Sequence, residues 1–128
     1  MRRTVVLARA AFAVMPAIAF AQGGHTHSKA TPKHGGVITE VNEIDYELVA
    51  KADSIRLYLS DHGKPVNIAN ASARVTLLTG SEKSEATLKP AGDKLEAAGT
   101  FKVGAGTKAV AIVTLSGKPA QSVRFDIK

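Results

Sequence analysis

The chain has 128 residues and a formal charge of +6, and it holds neither cysteine nor tryptophan. Zero cysteine excludes a disulfide scaffold, thiolate metal sites and thiol catalysis together. The length suits one domain that buries its own core.

Residues 1–21 read as a cleaved export signal. Arg2 and Arg3 give it a positive start, residues 10–21 carry no charge, and Ala19-Phe20-Ala21 is a small-x-small cleavage pattern. A membrane span needs about 20 apolar residues, and Arg9 and Pro16 interrupt this run too early. Gln22 is the expected first mature residue. The leader contains three arginines and no acid, so the charge falls to +3 after cleavage. The remaining lysines are scattered. A nucleic-acid surface needs a basic stripe with aromatic platforms, so no nucleic-acid partner is expected.

Residues 22–36 are rich in Gly, His, Ser, Thr, Lys and Pro and lack any apolar period, which predicts a flexible His-bearing arm. Pro32 biases Thr31 towards an extended backbone, and Gly35-Gly36 reads as a hinge. From residue 37 the period becomes two. Residues 37–41 form a first strand; Ile44, Tyr46 and Leu48 mark a second; Ile55, Leu57 and Leu59 mark a third. In each, the intervening residues, among them Asp45, Glu47, Arg56 and Tyr58, belong to a solvated face. Residues 60–65 hold the strongest turn signal, Asp61-His62-Gly63 before Pro65. Further strands follow at 73–79, 84–89, 93–97, 108–115 and 122–127, punctuated by Gly and Pro.

About seven or eight short strands with a turn every 8–12 residues or so predict an all-β fold. The expectation is a single immunoglobulin-like β-sandwich over residues 37–128.

Chemistry concentrates in the histidines. Three of the four lie within ten residues, at His25, His27 and His34; the fourth is His62. Neutral imidazole is a favoured ligand of Zn²⁺, Cu²⁺ and Ni²⁺, and is available above a pKa of about 6.5. In an extended chain His25 and His27 point the same way and could chelate one ion. A flexible segment could bring His34 to them, with Glu40, Glu43, Asp45 or Glu47 supplying oxygen. Each also has a plainer reading: solvated linker for His25 and His27, the start of a strand for His34, a local turn preference for His62. Gly23-Gly24-His25 would form an amino-terminal copper or nickel chelate only if cleavage followed Gln22. Both methionines lie in the leader, so the mature chain offers nitrogen and oxygen donors alone.

No enzyme pattern is found. Ser54, Ser60 and Ser116 lack a nucleophile-elbow context, and there is no His-Glu-x-x-His helix and no phosphate-cradling glycine loop.

Three stretches taken together carry a resemblance: Pro32-Lys33-His34-Gly35-Gly36-Val37, Tyr46-Glu47-Leu48-Val49, and Leu57-Tyr58-Leu59-Ser60-Asp61-His62-Gly63-Lys64-Pro65-Val66. The set resembles small periplasmic proteins that accompany heavy-metal efflux systems. It is also similar to the His-Gly-Gly-containing N-terminal domains of the periplasmic adaptor subunits of those pumps. The stretch from Gly63 through Gly99-Thr100-Phe101 to the last strand resembles immunoglobulin-like periplasmic domains found near copper proteins. The resemblance implies a periplasmic metal-handling β-sandwich and an efflux-pump component as partner. It carries over to His34 first and His62 second. Without a mature Met or Cys, the soft ligands Cu⁺ prefers are missing, which favours Cu²⁺, Ni²⁺, Co²⁺ or Zn²⁺.

Two functions follow as expectations. One is a periplasmic divalent-metal-binding accessory using His25, His27, His34 and His62. The other is a metal-independent immunoglobulin-like interaction module of the cell envelope, its histidine arm incidental.

Overall fold

The computed structural model describes residues 30–128. Residues 1–29, which include His25 and His27, lie outside the described residues. No described residue is helical. Nine strands follow in order: β1 (Val37–Val41), β2 (Ile44–Ala50), β3 (Ser54–Asp61), β4 (Lys64–Pro65), β5 (Ser72–Thr79), β6 (Glu82–Ala91), β7 (Lys94–Ala98), β8 (Lys108–Thr114) and β9 (Gln121–Asp126).

All pairings are antiparallel, and the order is β1-β2-β3-β7-β6-β5-β8-β9, with β4 beside β3. Strand β6 belongs to both layers. Residues 82–88 pair with β5, whereas residues 89–91 pair with β7. The switch falls at Lys89-Pro90, where proline cannot donate to a continued ladder. One layer is therefore β2-β3-β7-β6 and the other β5-β8-β9. That is the A-B-E-D and C-F-G strand order of an immunoglobulin domain, with β1 added beyond the first strand.

The layers nearly close on themselves. Thr39 Oγ1 on β1 donates to the Arg124 carbonyl on β9 at 2.7 Å, and Asn42 Nδ2 reaches Gln121 Oε1 at 2.9 Å. These bonds shield two edges that would otherwise present unpaired backbone groups.

The core follows the alternation. Leu48, Ile55, Leu57, Val75, Leu77, Leu88, Leu95, Val113 and Val123 are essentially fully buried. Each contributes about 1.5–3 kcal/mol through removal from water.

Two hairpin tips use left-handed backbone. Asn42-Glu43 joins β1 to β2 and His62-Gly63 joins β3 to β4, all four residues at positive φ. Two-residue loops with both residues at positive φ are type I′ turns, whose twist matches that of the strands they join.

Alternation fails at two places on the outer face of β2. Glu47, expected in water, is 5% exposed, and Val49 beside it is 7% exposed. The cause is the chain that precedes β1, which lies across them.

Candidate functional site

Residues 33–36 are fastened to β2 through one carboxylate. Glu47 Oε2 accepts the backbone N–H of His34 at 2.8 Å and that of Gly36 at 3.0 Å. Oε1 accepts the backbone N–H of Lys33 at 3.0 Å and pairs with His34 Nδ1 at 3.0 Å. Three main-chain donors converging on one anion make a concave nest.

The two glycines make this approach feasible for different reasons. Gly35 sits at φ +78°, a left-handed conformation that costs other residues about 1–2 kcal/mol. Gly36 has an ordinary φ, but a Cβ there would lie 2.3 Å from the Leu48 carbonyl oxygen and 2.9 Å from Val49 Cγ2. The pair read as a hinge is instead a fitted contact.

Two opposing effects act on the Glu47 carboxyl. Burial is the largest single one and raises its pKa. The Gly36 amide, the His34 ring, the His34 amide and the Lys33 amide together outweigh burial, so the pKa lies below its ordinary value. Glu47 is therefore a carboxylate, which can only accept hydrogen bonds. His34 Nδ1 must donate to it, and that fixes the neutral ring as the tautomer with its lone pair on Nε2.

The ring is also held flat. His34 stacks on Tyr58 of β3 with centroids 3.5 Å apart and an interplanar angle of 3°. Such contacts contribute about 0.5–1.5 kcal/mol beyond buried area. Register explains the meeting, because Glu47 is the cross-strand partner of both Ile38 and Tyr58. Arm, β1, β2 and β3 thus deliver one residue each to a single outer patch.

His34 is not sealed in; its side chain is 38% exposed. It lines a cleft of about 330 Å³ with Asp45, Glu47, Tyr58 and Ser60.

The other sequence candidates fare differently. His25 and His27 lie outside the described residues. His62 occupies the exposed β3–β4 tip, 73% exposed at its side chain, with Nδ1 2.5 Å from Asp61 Oδ1. Its pKa is raised by that bond and charge, with smaller contributions from Glu43 and Glu40. It does not line the His34 cleft. Among the described residues, no group of three His, Asp or Glu side chains is placed to hold a metal ion.

Sequence reasoning offered Asp45 and Glu47 only as possible oxygen donors, and placed both, with Tyr58, on a solvated face. A signal was present in that same face. Ile38, Val49 and Tyr58 interrupt an otherwise polar row, and apolar residues facing outward indicate that something covers them.

No protein-family model matches the sequence, and neither a curated protein nor a solved structure matches it.

Proposed function

We propose that this is an exported, periplasmic divalent-metal-binding accessory protein of a heavy-metal efflux or resistance system, in which His34 Nε2 is the fixed ligand. The observation that carries the reading is the Glu47–His34 pair. A ligating histidine almost always gives its other ring N–H to a carboxylate, carbonyl or water, which sets the tautomer and raises the basicity of the ligating nitrogen. Here that outer partner is in place and the ring is locked by Tyr58.

One imidazole does not make a site. The remaining nitrogen ligands in this reading are His25 and His27, nine and seven residues before His34 in the sequence. With only nitrogen and oxygen donors, Cu²⁺, Ni²⁺, Co²⁺ and Zn²⁺ are the matching ions. The motif resemblance around His34-Gly35-Gly36 supports the same role and an efflux-pump component as the recipient of the ion.

Calorimetric titration of the mature protein with each of the four ions tests this. Binding clearly tighter than that of free histidine is expected, weakened more by His34→Ala than by His62→Ala. No such binding overturns the reading. The competing account, a metal-independent interaction module, requires an envelope partner whose binding survives both chelator and deletion of residues 22–33.

A further inference from the structure

Three arginines lie among the described residues, and two of them are left without a partner there. Arg56 has its Nε 2.6 Å from Glu96 Oε2. Arg74 on β5 and Arg124 on β9 are exposed, and neither side chain makes a hydrogen bond or ion pair among the described residues.

Both point outward from the same layer. Arg74 lies opposite Ile112 of β8, and Arg124 lies opposite Val110, two residues away on that strand. The two arginines therefore flank β8 on a diagonal, about 12 Å apart at Cα from strand spacing and rise. The apolar part of the face lies between and beside them. Ile112 is 39% exposed and Val110 half-buried, and Leu78 on β5 is 45% exposed. Leu78 and Ile112 are the large apolar side chains that stand exposed among the described residues, and both fall on this face. A lone exposed apolar residue is ordinary, whereas a group rimmed by charge marks a contact surface.

We propose that the outer face of the β5-β8-β9 layer docks an acidic protein segment in which an apolar side chain stands between two carboxylates. Arg74 and Arg124 take the carboxylates, and Val110 and Ile112 take the apolar side chain.

Charge selects this occupant. The other charges on the face are already matched, Lys83 with Glu85 at 3.7 Å and Lys108 with Asp126 at 2.8 Å. The two guanidiniums remain, so the partner supplies the anions. Guanidinium grips a carboxylate through two parallel hydrogen bonds, which fixes orientation as well as charge.

Two other occupants fit less well. A second copy would bring the same two unmatched guanidiniums and no unmatched acid on this face. A bilayer surface favours aromatic and projecting apolar residues, whereas this sheet face has no outward aromatic residue and would hold Glu85 and Asp126 against anionic lipid. The segment that precedes β1 lies on the other layer, against β2, so the described chain does not cover the face. The reading is independent of the metal role proposed for His34 and is tested with metal removed.

The probe is the peptide acetyl-Glu-Thr-Val-Thr-Glu-amide. Extended, it sets its carboxylates about 13–14 Å apart on one side, with valine between them. It is titrated into ¹⁵N-labelled mature protein with chelator at low salt. Saturable amide shifts are expected at residues 74–78, 108–112 and 122–126. Replacing both peptide glutamates by glutamine should weaken binding at least fivefold, and replacing its valine by asparagine at least threefold. Arg74→Gln and Arg124→Gln should each weaken the parent peptide at least fivefold. Lys51→Gln removes the same charge from the exposed β2–β3 connection and should leave binding unchanged. The proposal is overturned if the peptide does not saturate, if the glutamine peptide binds as well, or if either arginine variant binds like the parent. It is equally overturned if Lys51→Gln weakens binding as much, or if phosphatidylglycerol vesicles shift these amides and the peptide does not. Should an arginine variant fail to fold, the comparison of the glutamate and glutamine peptides on the parent protein decides alone.

Discussion

Glu47 grips His34 at two points, through the backbone N–H at 2.8 Å and through ring Nδ1 at 3.0 Å. One buried carboxylate therefore sets both the path of the chain before β1 and the orientation of its histidine. The expected consequences of this double grip can be separated experimentally.

Glu47→Gln keeps the size of the side chain but removes its charge and one acceptor oxygen. At least one of the four donors then faces a buried amide group with no acceptor. Leaving a buried donor unsatisfied costs about 1–3 kcal/mol, so a loss of about 2 kcal/mol in urea unfolding is expected. A loss below about 0.5 kcal/mol would show that the clasp does not hold the chain.

The same carboxylate predicts an acid response. Its pKa is lowered in the folded protein, so the folded state gains from its ionisation. That contribution is complete above the ordinary carboxylate pKa of about 4.3 and is lost as pH falls through the lower folded value. The stability gap between the parent and Glu47→Gln should not narrow between pH 7 and about pH 5 and should shrink below pH 4. Urea unfolding at four pH values checks it; a gap that narrows between pH 7 and 6 contradicts it.

The glycines should respond in a fixed order. Gly35→Ala meets no atom within 4 Å but places an L residue at positive φ, costing about 1–2 kcal/mol. Gly36→Ala forces a methyl into the backbone of β2, and overpacking of that kind costs about 1–3 kcal/mol or more. Thermal unfolding should rank Gly36→Ala as the more damaging. The reverse order would mean that residues 33–36 do not lie on β2.

His62 offers a contrast within the same protein. Its raised pKa comes mainly from Asp61, so Asp61→Asn should bring the titration back towards 6.5. A raised pKa stabilises the fold below the ordinary value, and that contribution disappears as pH rises through the folded one. On so exposed a ring the effect on stability is small, and proton NMR titration of the ring is the suitable readout. No change on Asp61→Asn would contradict the pairing.

Much of the fold was legible in the residues. The row Ile55, Leu57, Leu59 and the partner rows of β5, β8 and β9 alternate cleanly because one face of each strand is core. The paired positive φ angles at Asn42-Glu43 were not legible, since no glycine marks that turn. The site was half visible. His34 and its glycines stood out by composition, whereas Glu47 looked like any charged residue on a wet strand face. Period-two reasoning assigns faces within a sheet but is silent on a segment that folds back over the outside. Glu47, Val49 and Tyr58 are buried or stacked by that segment. His62 attracted notice as a ligand, yet its position follows from a two-residue turn and a neighbouring aspartate.

The most direct test of the account is the nitrogen spectrum of the His34 ring before and after one equivalent of Zn²⁺. Before metal, Nδ1 should carry the proton and Nε2 the lone pair. On addition, the Nε2 signal should move to that of a coordinated nitrogen while Nδ1 stays protonated on Glu47. An unchanged His34 ring, with the metal response confined to His62 or absent, would contradict the account.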